Sequence, residues 1–309
     1  MKKISIVAPC FNEEANVELL YERVKAELRL IPQYEYELIF IDNASTDGTV
    51  DIIKSLIERD VNVRLIVNAR NFGHIRSPYH GLMQASGDAV IMMASDLQDP
   101  PELIPTFIRS WEQGFKLVAA VKKTSEESRI FFAIREAYYS FLNKISEVRL
   151  IDNFTGFGLY DREVVEIMRG LNDPYPYVRG LICEIGFDVA TVEFRQPIRK
   201  RGITKNNFYT LYDMAMLGIT SHSKLPLRVA LFGGFTLAAL SLGVSFVYLL
   251  LKIIFWNSFA FGAAPLLIGL FFFSSIQLFF IGLLGEYVGN IHTKVSNRPL
   301  VVEKARYNF

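Results

Sequence analysis

Tyr36-Glu37-Leu38-Ile39-Phe40-Ile41-Asp42-Asn43-Ala44-Ser45-Thr46-Asp47-Gly48 is a short apolar run that breaks into a polar, turn-rich loop. Its first six residues have the length and composition of a buried strand. Residues 49–58, directly after the loop, have helical patterning. The same unit recurs on both sides. Residues 4–8 (ISIVA) form an apolar run ending at Pro9, and a helix is predicted over 14–30, with Val17, Leu20, Val24 and Leu28 on one face. Further strands are predicted at 63–67, 89–94 and 117–121, and helices at 74–85 and 101–113. Strands alternating with helices imply an α/β fold whose mostly parallel sheet carries helices on both faces.

In such sheets ligands bind at the carboxyl ends of the strands. The polar residues of this chain gather there: Asn12-Glu13-Glu14 after the first strand, Asp42 after the second, Asn71-Phe72-Gly73 after the third and Asp96-Leu97-Gln98-Asp99 after the fourth. Four polar loops on one rim outline a cleft.

The composition divides the chain in two. Of its 309 residues, 51% are hydrophobic and 21% charged, against about 25% charged in an ordinary soluble domain. The deficit is local, because between Val229 and Gly285 the one charged residue is Lys252. Residues 229–255 and 265–285 are each long and apolar enough to span a bilayer. Trp256 sits in the short connection as an interfacial aromatic. Lys224 and Arg228 precede the first span, and Lys294, Arg298, Lys304 and Arg306 follow the second, so the positive-inside rule places both termini in the cytoplasm. Glu286, at the end of the second span, either reaches headgroup water or pairs with Arg228. Residues 130–145 and 206–222 have amphipathic helical patterning, and the second is read as a helix lying on the membrane. A net charge of +1 gives no footprint for nucleic acid. Two cysteines, Cys10 and Cys183, suggest no disulfide framework and fit a reducing compartment. Met1-Lys2-Lys3 leads straight into the first strand and does not read as a signal peptide.

Four motifs in order, Pro9-Cys10-Phe11-Asn12-Glu13-Glu14, Ile41-Asp42-Asn43-Ala44-Ser45-Thr46-Asp47-Gly48-Thr49, Arg70-Asn71-Phe72-Gly73 and Ser95-Asp96-Leu97-Gln98-Asp99-Pro100-Pro101-Glu102, resemble glycosyltransferase family 2. Two later ones, Arg199-Lys200-Arg201-Gly202-Ile203-Thr204-Lys205 and Gly285-Glu286-Tyr287-Val288-Gly289 followed by Asn297-Arg298-Pro299, narrow the resemblance to the polyprenyl-phosphate glycosyltransferases. The resemblance implies a Rossmann-like, GT-A type nucleotide-sugar-binding domain over residues 1–200. After it come a juxtamembrane segment with an interfacial helix at 201–228, two transmembrane helices at 229–285 and a cytoplasmic tail at 286–309.

By that resemblance Pro9, Asn12, Glu14, Asp42, Asn71, Gly73 and Asp96 would bind the nucleotide sugar. Asp96 and Gln98 offer oxygen ligands suited to Mg²⁺ or Mn²⁺ on the diphosphate. Arg199 and Lys205, with Arg135 as a weaker candidate, would bind phosphate; Lys122, Lys123 and Arg129 are further cations that lie with Arg135 on the segment between the domain halves. The implied catalytic set is Asp96, Gln98, Arg199 and Lys205.

The chain departs from the family pattern twice: Ala94 stands at the first position of the D-x-D-L-Q motif, and Gly156 and Gly158 stand where an Asp-Phe-Arg is usual. Asp99 and Asp161 are the carboxyls placed to substitute for a base, although Asp161 also reads as the cap of a helix starting near Arg162. A phosphate acceptor is already largely dianionic at neutral pH and needs a base less than a hydroxyl does.

The expected activity is transfer of one sugar, UDP-linked in preference, to undecaprenyl or another polyprenyl phosphate at the cytoplasmic membrane face, with inversion, for surface-glycan synthesis. The rival readings are a different acceptor, or a degenerate nucleotide-binding scaffold. With no Q-x-x-R-W motif and two spans, the chain does not read as a processive polysaccharide synthase. Gly233-Gly234 would let helices of neighbouring subunits approach in a homo-oligomer. His74, His80, His222 and His292 lack metal-ligand spacing, and Cys10 is assigned to packing.

Overall fold

The computed structural model describes residues 1–124, 150–197, 216–220, 223–255, 263–296 and 298–309. Its elements begin β1 (Lys3–Cys10), α1 (Val17–Leu28), β2 (Glu35–Asp42), α2 (Thr49–Arg59), β3 (Val63–Asn68), α3 (Gly73–Gln84) and β4 (Ala89–Met92). A 3-10 turn at Pro101–Leu103 leads into α4 (Ile104–Glu112), then β5 (Leu117–Thr124), β6 (Phe154–Asp161), α5 (Arg162–Gly170), α6 (Val178–Ile185) and β7 (Val189–Arg195). The two apolar helices are α7 (Leu225–Ile254) and α8 (Ala263–Val295), and β8 (Glu303–Tyr307) ends the chain.

One eight-stranded sheet runs in the order β7-β5-β6-β4-β1-β2-β3-β8. The pairs β1–β2, β1–β4, β2–β3 and β5–β7 are parallel, as the alternation predicts. Strand alternation splits the core between the two faces. Ile4, Ile6, Leu38 and Phe40 pack under α1, α2 and α4, while Val7, Ile39, Ile41 and Ile66 pack under α3, α5 and α6. Burial on both faces is why these strands are apolar nearly throughout.

Three strands lie outside the predicted set, and each has a physical reason. β6 carries Gly156 and Gly158, which weaken any strand signal. It inserts antiparallel between β4 and β5, so the fifth strand is not the direct neighbour of the fourth. β7 is half exposed. β8 (EKARY) is a charged edge strand that pairs antiparallel with β3, and a charged edge is protected against further pairing. Residues 286–309 are therefore not a free tail: α8 continues to Val295, and β8 is part of the sheet.

Helices α7 and α8, of 30 and 33 residues, are long and apolar enough to cross a membrane, and the apolar stretch of each is unburied. The first starts before the predicted span and ends at Ile254, and the second extends beyond its predicted span at both ends. The end of α8 packs on the segment before α7: Tyr287 donates its hydroxyl to the Ser223 carbonyl at 2.7 Å, and Asn290 donates to Thr220 Oγ1 at 3.0 Å. A Cβ built at Gly233 would lie 3.9 Å from Phe280, an ordinary contact distance, and at Gly234 nothing lies within 4 Å. The predicted helix at 130–145 and most of that at 206–222 fall outside the described residues, although 216–220 are helical.

Candidate active site

In the sheet order β1 lies between β2 and β4, so the chain reverses its direction of travel across the sheet at β1. Such a switch point opens a crevice at the carboxyl ends. Here the two loops are joined across it, Ser95 Oγ donating to the Pro9 carbonyl at 2.7 Å. A cleft of about 570 Å³ opens at this point, and its lining includes Pro9, Asn71, Gly73, Asp96 and Gln98 from the predicted set.

Asn12, Glu14 and Asp42 are not part of that lining. Asn12 and Glu14 clasp the loop after β1 to the loop after β2, and Asp42 braces the second loop from within. Asn12 Oδ1 accepts from the Thr46 N–H at 2.8 Å, Glu14 Oε2 from the Gly48 N–H at 2.8 Å, and Asp42 Oδ2 from the Ser45 N–H at 2.9 Å. The Glu13 N–H adds a donation to Thr49 Oγ1 at 2.8 Å. The same clasp explains why α1 starts at Val17 and not at residue 14, since residues 12–14 are spent on the neighbouring loop. Burial pushes the fully covered Asp42 carboxyl up, against the hydrogen bonds from Ser45. Burial, and then Asp42 and Glu13, raise the Cys10 thiol well above its ordinary value, in keeping with a packing role.

The rim loops carry backbone strain. Asn12, Ala44 and Leu97 have φ of 55°, 64° and 62°, one in each loop after β1, β2 and β4. Non-glycine residues in this region are uncommon and gather where structure serves a site.

Asn43, inside the second quoted motif but not among the expected site residues, organises one side of the cleft. Its amide donates to Asn71 Oδ1 at 2.9 Å, while its own Oδ1 accepts from Asn68 at 3.1 Å and from the Phe72 N–H at 2.8 Å. Its place in that motif and in a turn-rich loop was the available signal, and it does not separate a turn former from a wall residue.

At the end of β4, Asp96 Oδ1 accepts from the Gln98 N–H at 3.1 Å. Asp99, also in the lining, accepts from the Ala94 N–H at 2.8 Å. Burial drives the Asp99 carboxyl up to about 7, with the Ala94 N–H opposing it, Asp96 reinforcing it and Lys122 opposing it. Among the described residues no three His, Cys, Asp or Glu side chains form a metal cage. Asp96 and Gln98 nonetheless fit a hard divalent cation, which takes one or two protein oxygens and completes its shell with water and substrate phosphate.

The glycines of β6 are set by the backbone. Gly156 has φ of 102°, a conformation that side-chain-bearing residues rarely adopt, and its carbonyl accepts from the Tyr160 hydroxyl at 2.8 Å. A Cβ at Gly158 would lie 2.2 Å from the Val118 carbonyl oxygen, so β5 approaches too closely for any side chain.

Of the two substitute carboxyls, Asp161 pairs with Ala89 at the amino end of β4, whereas Gly158 pairs with Met92 at the cleft end. Asp161 therefore lies at the far edge of the sheet. It caps α5 by accepting from the Glu163 N–H at 2.9 Å, and also accepts from Trp111 Nε1 at 2.6 Å.

Arg135, Arg199, Lys205 and Arg129 lie outside the described residues. Lys123 is paired with Glu193 at 2.6 Å on the surface. The far wall of the cleft is formed by Thr155, Gly156 and Phe157 of β6 and by Tyr177 and Arg179 at the start of α6. Arg179 belongs to no motif, and only the fold brings it here.

Residues 5–168 match the family model described as glycosyl transferase family 2. An SfII prophage-derived bactoprenol glucosyl transferase of Shigella flexneri is 37% identical over 303 residues, covering 98% of this chain and 97% of that protein. A bactoprenol glucosyl transferase of Shigella phage SfX is 36% identical over 305 residues, covering 98% and 99%. Among solved structures, a glucosyl-3-phosphoglycerate synthase from Mycobacterium tuberculosis, in complex with Mn²⁺, UDP and phosphoglyceric acid, aligns with a TM-score of 0.49 at 20% identity, covering 71% of this chain and 76% of that one.

Proposed function

The chain is a glycosyltransferase belonging to family 2, and from that membership we propose that it transfers one hexose from a nucleotide donor, UDP-linked in preference, to undecaprenyl or another polyprenyl phosphate. The observation that carries this reading is the joining, in one chain, of a switch-point cleft bearing Asp96 and Gln98 to two uncovered apolar helices. A soluble donor needs the first, and an acceptor with a lipid tail needs the second. The names of the relatives that match over nearly the whole length support the acceptor class.

The reaction is a single displacement. A phosphate oxygen of the acceptor forms a bond to the anomeric carbon, the bond from that carbon to the donor diphosphate breaks, and the nucleoside diphosphate leaves with the electron pair. Configuration inverts. The acceptor phosphate has a second pKa near ~6, so its attacking oxygen carries no proton to remove. This suits a site in which Gly156 occupies the position of the family carboxyl and Asp161 is turned away at the far edge. The loops after β1 and β2, clasped together, wall the nucleotide, and Asn43 and Asn71 stand on that side of the cleft. Asp96 and Gln98 would hold Mg²⁺ or Mn²⁺, which when bound offsets charge on the departing diphosphate.

The membrane arrangement follows the same logic. Helices α7 and α8 form a hairpin through the cytoplasmic membrane, so the catalytic domain and both ends stay in the cytoplasm. The lipid-linked sugar then serves surface-glycan synthesis. Membranes containing the protein are expected to convert labelled UDP-hexose into chloroform-soluble product when Mg²⁺ or Mn²⁺ is present. A folded preparation that labels no lipid with any of a panel of UDP- and GDP-hexoses would overturn the proposal.

A further inference from the structure

On the proposed reading the cleft receives two anions, the donor diphosphate and the acceptor phosphate. Among the described residues its lining holds three carboxyls, Glu13, Asp96 and Asp99, and one guanidinium, Arg179. A cation at Asp96 and Gln98 would answer the diphosphate, and among the described residues of the lining Arg179 is the guanidinium that can answer the second phosphate; Arg199 and Lys205 lie outside those residues. We infer that Arg179 binds the acceptor's phosphate and orients it for attack. The inference rests on the proposed acceptor class and adds a residue outside the motifs.

Position separates this role from donor binding. In the sheet order β2 and β1 lie on one side of β4, and β6 lies on the other. Asn43 and Asn71 follow β2 and β3. Arg179 is the second residue of α6, which packs against β6. Its charge is felt by the buried Tyr160 phenol of β6, the group that donates to the Gly156 carbonyl. Arg179 thus stands beside the Gly156 wall.

The segment before α6 is also tied to the helix proposed to leave the membrane. Lys294, near the end of α8, reaches Asp173 Oδ2 at 3.2 Å, and Asp173 Oδ1 accepts from the Tyr175 N–H at 3.0 Å. The Arg76 guanidinium of α3 covers the Tyr175 ring at 5.3 Å. The segment leading to the wall that bears Arg179 is therefore tied to the membrane element. A lipid-borne phosphate cannot travel far from the interface, and it meets that wall first. A planar guanidinium suits a phosphate dianion because it donates two parallel hydrogen bonds.

The test uses full-length protein in vesicles containing undecaprenyl phosphate, comparing wild type, Arg179→Gln and Arg179→Lys. For Arg179→Gln the KM for undecaprenyl phosphate is expected to rise about 10- to 100-fold, the loss of charge-assisted hydrogen bonds. The affinity for UDP with Mn²⁺, read by titration, is expected to stay at the wild-type value, and Arg179→Lys to recover part of the lost acceptor affinity. A merely structural role would lower UDP affinity and kcat together and show no such split. An unchanged acceptor KM overturns the inference, as does a fall in UDP affinity matching the rise in KM, which would put Arg179 on the donor diphosphate. If wild type itself moves no sugar to undecaprenyl phosphate, the proposed function fails and the inference falls with it.

Discussion

Asp96 and Gly156 face the same cleft from β4 and β6, and substitutions at the two are expected to act differently. Asp96→Ala removes the carboxylate that the metal proposal needs, and turnover is expected to fall by about 10³-fold or more, by analogy with the loss of a charge-stabilising group. Initial rates of lipid labelling across a Mg²⁺ and Mn²⁺ series measure it, and an unchanged rate would remove Asp96 from the site. Gly156→Asp restores the family's carboxylate in the sequence but forces a φ of 102° on a side-chain-bearing residue. It is expected to cost about 1–3 kcal/mol of stability and to leave turnover no higher than wild type. Thermal unfolding and labelling rate together check this. At this scale the motifs were informative about which loops matter, because each rim loop is a local run of polar residues after a strand. They did not separate Asn12 and Glu14, which clasp two loops together, or Asp42, which braces its own loop, from Asn43, which stands in the wall. Which way a short polar side chain turns depends on the neighbouring loop.

At the scale of elements, Asp60 shows how one carboxyl holds three of them. It lies just after α2 and accepts from Tyr36 of β2 at 2.6 Å and from Tyr21 of α1 at 3.1 Å, with Lys25 of α1 as its ion-pair partner. Burial alone would raise this carboxyl, but the donors Lys25 and Tyr36 overcome it and hold it at about 2. A folded-state value below the unfolded value of about 3.9 means that the stabilisation is complete above roughly pH 4 and is lost as pH falls toward about 2. Asp60→Asn is therefore expected to cost about 2 kcal/mol at pH 7 and to flatten the fall in stability between pH 4 and pH 2. Denaturation midpoints of the two proteins across that range decide the matter, and parallel curves would count against it. The helices and the parallel strands were legible because hydrophobic periodicity is a local property. β6 was not, since its two glycines remove strand signal and its place between β4 and β5 is settled by pairing at a distance.

For the whole molecule the decisive element is β8. It closes the β3 edge, and around it the Ala69 N–H donates to the Val302 carbonyl at 2.8 Å, His80 meets Glu303 at 2.6 Å, and the Asn308 amide donates to the Val61 carbonyl at 2.7 Å. Because the strand after α8 joins the same sheet as β1, the two apolar helices must leave that domain and return to it. A chain truncated after residue 297 is expected to expose the β3 edge and to aggregate, seen as loss of the monodisperse detergent-solubilised species. On the membrane reading, protease applied outside sealed cells is expected to spare tags at both ends and to cut a site inserted within residues 256–262. Cleavage at either terminal tag would refute the hairpin.

Residue order by itself determined the strand–helix alternation, the polar rim at the strand ends and the two apolar helices. All of these rest on patterns within a few residues, the range over which periodicity and turn chemistry act. Tertiary structure alone decided that β6 enters antiparallel, which puts Gly156 at the cleft and Asp161 at the far edge. It also decided that Arg179 reaches the cleft and that the last strand returns to the sheet of β1. These depend on register and pairing between segments far apart in the chain, and a one-residue slip would reverse which face each side chain takes.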